Sequence, residues 1–147
     1  MAISIRPAKK QDLKAWAAMR ARLWPDADAK ELRAELPALL RKPRFRAWLA
    51  LEGGLPVAFA EAYIREFANG CDSQPVAFLE GIWVEKGHRR KGVGKCLVAA
   101  LEAWAAGRGL KELGSDAELE NRLSHRSHKG WGFEETERVV YFRKKLR

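Results

Sequence analysis

The hydrophobic pattern of the chain changes period several times, and each change marks an element. Ile3 to Arg6 alternates apolar and polar positions and predicts a short edge strand. Leu13, Trp16, Ala17, Arg20, Leu23 and Trp24 follow helical spacing from Asp12, and Pro25 ends that helix. Helical spacing returns from roughly Lys30 to Leu40, with Leu32, Leu36 and Leu39 or Leu40 on one face. Pro37 inside that stretch predicts a kink. Phe45 to Leu51 and Val57 to Ile64 read as strands joined by a Gly53-Gly54 hairpin turn. Arg65 to Pro75 is a polar connection containing Asn69-Gly70.

Val76 to Val84 is an apolar run without a polar face, which predicts a strand covered on both sides. A charged turn and a basic, glycine-containing loop follow it. The next helix runs from about Gly94 to Ala106, with Leu97, Leu101 and Trp104 on its buried face and Gly109 past its end. Leu110 to Ser115 predicts a short strand, Ala117 to Gly130 a helix carrying Leu119 and Leu123, and Phe133 to Arg143 one or two closing strands. This order predicts an α/β (α+β) fold, a mixed sheet with helices on its faces. At 147 residues the chain is expected to form one domain.

Composition narrows the classes of partner. An apolar fraction of 47% with six Trp and six Phe argues against disorder. No run of about 18 apolar residues exists, so no membrane span is expected. Arg6, Lys9, Lys10 and Asp12 interrupt any secretory apolar region. Cys71 and Cys96 are two thiols without metal-ligand spacing, and they fit a reducing cytoplasm. The net charge of +9 admits nucleic acid, an anionic membrane or a phosphate-bearing small molecule. A nucleic-acid module would need a recognition helix or interleaved aromatic and basic residues, and the sequence presents neither.

The candidate chemistry gathers around the Val76 to Val84 strand. Arg89, Arg90, Lys91, Gly92, Val93, Gly94 and Lys95 lead from a strand directly into a helix. Free N–H groups at a helix start suit an anion such as a pyrophosphate, and glycines let backbone approach it. A solvated charged turn would look the same. The loop has neither the Gly-Lys-Ser/Thr of a P-loop nor a G-x-G-x-x-G placement. Glu80 interrupts the apolar strand. A carboxylate taken out of water is either paired with an arginine or used as a general base, its pKa raised by desolvation.

Acidic residues collect elsewhere. From Glu112 to Glu137 seven acids face three basic residues, a local charge of −4, whereas Lys86 to Lys95 carries five basic residues and no acid, +5. Such poles could seat an anionic cofactor and a cationic substrate. Ser115-Asp116-Ala117-Glu118 also matches a capping box, so Asp116 has a capping reading beside a ligand reading. His88, His125 and His128 lack metal-site spacing, and no metal is expected.

Arg89-x-x-Gly92-x-Gly94 after a strand bearing Glu80 resembles the acetyl-CoA signature of the GNAT N-acetyltransferases. Asn121-x-x-Ser124-x-x-x-His128-x-x-x-Gly132-Phe133 resembles that superfamily's second signature. Leu23-Trp24-Pro25, Asn69-Gly70-Cys71-Asp72-Ser73, Pro75 to Ile82, Ser115-Asp116 and Gly132 to Val139 are similar to the aminoglycoside 6′-N-acetyltransferases over nearly the whole chain.

That resemblance implies a single N-acetyltransferase domain with a central mixed, mostly antiparallel sheet flanked by helices. It implies acetyl-CoA as co-substrate, an aminoglycoside as acceptor, and a homodimer. Backbone of Ile82, Trp83 and Val84 would pair with the pantetheine arm. The loop from Arg89 to Lys95 would hold the pyrophosphate, with Asn121 on the cofactor. Trp24, Phe67, Asp72, Glu80, Asp116 and Glu137 would line the acceptor pocket, and Glu80 and Asp116 are the catalytic candidates. His128 stands where many of these enzymes carry a tyrosine acid, and Phe67 where a pocket tyrosine is common. An enzyme acting on another small amine or a protein N-terminus would share the cofactor site without the acidic pocket.

Overall fold

Alternation in Phe45–Glu52 and Leu55–Arg65 builds the two central strands of a sheet. In the computed structural model, which describes residues 2–147, the strands are β1 (Ile3–Pro7), β2 (Phe45–Glu52), β3 (Leu55–Arg65), β4 (Val76–Val84) and β5 (Leu113–Gly114). They lie in that order; β1 to β4 are antiparallel to their neighbours, and β5 runs parallel to β4. The helices are α1 (Leu13–Leu23), α2 (Ala29–Ala34), α3 (Leu36–Arg41), α4 (Val93–Gly107) and α5 (Arg122–Gly130). The chain divides into two compact units, Met1–Asp116 and Ala117–Arg147, so the whole sheet and α1 to α4 belong to the first.

Successive residues of β2 point to opposite faces. Phe45, Ala47, Leu49 and Leu51 join Trp16, Met19 and Leu36 in one core, where Trp16 stacks on Phe45 with ring centroids 6.2 Å apart. Trp48, one position out of step, meets Trp104 of α4 edge-on at 5.6 Å. Helices α1 and α3 therefore cover one face and α4 the other.

Four expectations are corrected. Lys30 to Leu40 is not one kinked helix but two, α2 and α3, meeting at Glu35. Pro37 falls in the first turn of α3, where its missing N–H has no helical partner to lose. The Leu110 to Ser115 strand shrinks to Leu113–Gly114, because β4 offers it pairing only at Ala77 and Phe78. α5 begins at Arg122 rather than Ala117, with the Asn121 side chain accepting from the Ser124 N–H at 3.1 Å. Ser115 to Glu118 therefore caps no helix. Finally, residues 133–147 join no strand ladder, although Val140, Tyr141 and Phe142 have strand-like composition. A strand exists only against an edge, and this segment pairs with none among the described residues.

One polar cluster is sealed inside the first unit. Glu61 in β3 is 2% exposed and Arg20 in α1 is 4% exposed. Arg20 donates from Nε to Glu61 Oε2 at 2.6 Å and from Nη2 to Oε1 at 3.0 Å, and Trp16 Nε1 donates to Oε2 at 2.9 Å. Arg20 Nη1 also reaches the Leu32 carbonyl at 2.7 Å and Glu35 at 2.5 Å. Burial pushes the Glu61 carboxyl above the usual carboxylate range, against the pull of Arg20 and Trp16. The cluster ties α1, α2 and the α2–α3 junction to β3. Glu61→Ala would leave a guanidinium buried without its main partner. The expected loss is about 3–5 kcal/mol of unfolding free energy by urea titration. A loss below about 1 kcal/mol would mean that Arg20 escapes to water.

Candidate active site

The site is built on an irregularity of β4. Across the ladder Gly81 faces Glu61, but Leu79 already faces Ala62, so Glu80 is an extra residue, a β-bulge. Trp83 and Gly81 sit opposite Phe59 and Glu61, while Phe78 and Val76 sit opposite Tyr63 and Arg65. Cross-strand partners share a face, so all four lie on the α1 side although three positions separate Gly81 from Phe78. The bulge thus resets the alternation. Its consequence corrects the expectation of a strand covered throughout: Val76 to Leu79 are buried, whereas Glu80 to Val84 are only partly so. The Glu80 side chain is 29% exposed. Desolvation falls on Glu61 instead.

Glu80 is held by Arg65, the last residue of β3. Nε donates to Oε2 at 2.9 Å and Nη2 to Oε1 at 2.8 Å, a two-pronged ion pair. The guanidinium carbon lies 3.6 Å from the ring centroid of buried Phe78. Hydrogen bonding to Glu80 holds Arg65 above the ordinary arginine range, against desolvation and with help from the charges of Glu80 and Asp116. Trp24 closes in beside the bulge. A Cβ on Gly81 would stand 2.6 and 2.8 Å from two atoms of its ring, so only glycine admits this approach. Arg20 in turn lies 5.1 Å from the Trp24 ring centroid.

The opposite edge of β4 opens toward a different chemistry. Its pairing with β5 stops at Phe78, and along Leu79 to Val84 no strand among the described residues occupies that edge. The N–H and C=O groups that point that way are available to an extended ligand. After a turn at Lys86–His88 the chain reaches Arg90 with φ +63° and Gly92 with φ +81°, and α4 begins. No side chain caps α4, and the first helical bond runs from the Cys96 N–H to the Gly92 carbonyl at 3.1 Å. The first-turn N–H groups and the helix dipole could receive an anion, and a Cβ at Gly92 would meet nothing within 4 Å. Arg90, Lys91 and Lys95 are exposed there. Arg89 is not free: it donates to the Val84 carbonyl at 2.8 Å and lies 4.6 Å from the Trp83 ring centroid.

The other sequence-predicted positions fall in two groups. Phe67, 65% exposed, and Asp72, also exposed, lie on the β3–β4 connection. Glu112 pins that connection, accepting from the N–H groups of Asp72 and Ser73 at 2.8 and 2.6 Å and from the Ser73 hydroxyl at 2.5 Å. The Ser73 bonds hold the Glu112 carboxyl below the usual range. Asn121, His128 and Glu137 belong to the C-terminal unit, Ala117–Arg147. There the His128 ring sits between Trp131 and Phe133, with centroids 5.2 and 5.1 Å away, and its Nδ1 lies 2.7 Å from the Ser124 carbonyl oxygen. In the first unit Trp24 packs on Gly81, the neighbour of Glu80 in sequence, and the charge of Asp116 acts on Arg65, the partner of Glu80.

Sequence reasoning missed Arg65 and Glu61. Arg65 was assigned to a polar connection. Glu61 carries the same signal as Glu80, an acid inside an apolar run, and went unremarked.

The sequence model described as "Acetyltransferase (GNAT) family" matches residues 12–133. An aminoglycoside N(6′)-acetyltransferase type 1 of Salmonella enteritidis is 40% identical over 144 residues, covering 97% of this chain and 99% of the relative. One of the same name from Serratia marcescens is 45% identical over 138 residues, covering 92% and 94%. A solved structure of AAC(6′)-Iy with a bisubstrate analogue, CoA-S-monomethyl-acetylneamine, superposes with a TM-score of 0.94 at 39% identity, over 99% of this chain and all of that one. AAC(6′)-Ih from Acinetobacter baumannii gives 0.92 at 40% identity, over 99% and 100%.

The Trp24–Gly81 contact is testable. Gly81→Ala should cost about 1–3 kcal/mol by overpacking. In a Trp24→Ala background most of that penalty should vanish in urea unfolding, and an equal cost in both backgrounds would refute the contact.

Proposed function

The chain belongs to the acetyltransferase (GNAT) family, and on that premise we propose that it moves the acetyl group of acetyl-CoA to the 6′-amino group of aminoglycoside antibiotics, conferring resistance. The observation that carries this reading is the bulge carboxylate. Glu80 stands partly exposed next to Gly81, on which Trp24 packs, and its partner Arg65 feels the charge of Asp116; beyond Phe78 the other edge of its strand carries no strand among the described residues. Relatives of that activity match along the whole chain.

The residues present fit a CoA thioester. The Ile82 to Val84 stretch offers its edge away from β3 to the pantetheine arm, the Val84 carbonyl being already engaged by Arg89, and the loop from Arg89 to Lys95 offers an anion site at the start of α4. The bound co-substrate supplies an activated acyl group. Because Arg89 is engaged locally, backbone N–H groups and the charges of Arg90, Lys91 and Lys95 do the holding.

An ammonium group cannot attack a thioester, so the acceptor's 6′-amine must first lose a proton. Glu80 takes it, directly or through water, and the freed amine attacks the acyl carbon without an acyl-enzyme. Trp24, Phe67, Asp72 and Asp116 line the acceptor site. Carboxylates stabilise a polycationic sugar, more strongly where water is partly excluded, which reconciles an acidic site with a net charge of +9. The chain works as one acetyltransferase domain in the cytoplasm.

It also works as a homodimer. Val140, Tyr141 and Phe142 are exposed, Phe142 at 92%, in a segment that joins no ladder, and unpaired apolar backbone of this kind is covered most simply by a second copy. The double variant Val140→Glu, Phe142→Glu should sediment as a monomer, and an unchanged dimer would remove this segment from the interface. For the chemistry, Glu80→Gln should lower kcat by about 10²-fold or more and leave the KM for acetyl-CoA nearly unchanged. Wild-type turnover would take Glu80 out of the base role.

A further inference from the structure

We propose that Arg65 is a positioning residue for the acetyl transfer, fixing the Glu80 carboxylate in the orientation from which it receives the proton of the acceptor amine. The inference rests on the reading of Glu80 as the base. Glu80 sits on a bulge with its side chain partly in water, where a free glutamate would sample several rotamers. The two bonds from Arg65, at 2.9 and 2.8 Å, engage one lone pair on each oxygen and fix the carboxylate plane. A carboxylate has about four such sites, so each oxygen keeps acceptor capacity for an incoming proton.

Arg65, 40% exposed, is braced in turn. It closes β3 opposite Val76, its guanidinium lies 3.6 Å from the Phe78 ring centroid, and Phe78 is buried. A chain of supports therefore runs from the core through Phe78 and Arg65 to Glu80. The planar fork matters here, since an ammonium could supply the charge but not the two parallel bonds.

Charge gives the proposal its distinguishing signature. Arg65, Glu80 and Asp116 together carry −1, and without the guanidinium they would carry −2. A residue that merely helped to bind a polycation would raise KM when removed. Loss of Arg65 instead leaves the site more attractive to the acceptor while misaligning the base. Arg65→Gln should therefore lower kcat about tenfold or more without raising the aminoglycoside KM, and the KM for acetyl-CoA should stay put. Arg65→Lys should remain impaired in kcat. In an Glu80→Gln background, Arg65→Gln should cause no further loss, because it acts through Glu80.

The outcomes separate the two readings. If Glu80→Gln turns over like the wild type, the base assignment fails and this proposal with it. If Glu80→Gln is crippled but Arg65→Gln retains wild-type kcat, only the proposal fails. Full recovery in Arg65→Lys would show that charge suffices and would overturn the geometric role, as would additive losses in the double variant. Arg65→Lys keeps the test decisive should the glutamine variant fold poorly.

Discussion

Between Leu79 and Gly81, β4 carries one residue more than the facing stretch of β3, and Phe78 and Gly81, three positions apart, lie on the same face only because of it. Without the extra residue, strict alternation would send Glu80 and Gly81 to opposite sides of the sheet. With it, the carboxylate comes within reach of Arg65, and the missing Cβ of Gly81 becomes the space into which Trp24 fits. The opposite edge of the same strand loses its β5 partner at Phe78. A single strand thus presents an acid on one side and unpaired backbone along its edge. The bulge is what the site is built around.

The two strand carboxylates differ first in burial. Glu61 is sealed, carries three hydrogen bonds from Arg20 and Trp16, and anchors α1. Glu80 also has an arginine, but stays partly in water and keeps acceptor capacity. Each lies in an apolar run, and each is bonded two-pronged. Solvent access and the third bond that Trp16 gives Glu61 distinguish them, and both were decided by register and by where the helices pack. The clusters are also linked: Arg20 lies against Trp24, and Trp24 packs over Gly81. Losing the Glu61 anchor would be felt at the site through that contact.

Charge is distributed by function rather than by total. The basic loop before α4 contributes its anion site chiefly through backbone, since Arg89 is committed to Val84 and Trp83 while a left-handed Gly92 opens an uncapped helix. The acids that matter sit on β4 and just after β5. A chain of net charge +9 can therefore offer carboxylates to a cation at one place and N–H groups to an anion at another.

Much of this was legible in the sequence. The strands from Phe45 to Val84, the hairpin at Gly53-Gly54 and α4 follow from local periodicity and turn chemistry, because each is set by residues a few positions apart. Glu80 and the Arg89 to Lys95 loop stood out because their residue types are unusual in that local context. Other features were not local. The bulge depends on register against β3, Arg65 reaches Glu80 across 15 positions, and Arg20 reaches Glu61 across 41. The length of β5 depended on how much edge β4 offered, and the strands expected after Phe133 had no edge to join. Local sequence determined most of the helices and strands, and it marked Glu80 and the Arg89 to Lys95 loop as unusual in their context. Tertiary structure alone decided which of those residues meet, because pairing and burial join positions that no short-range pattern connects.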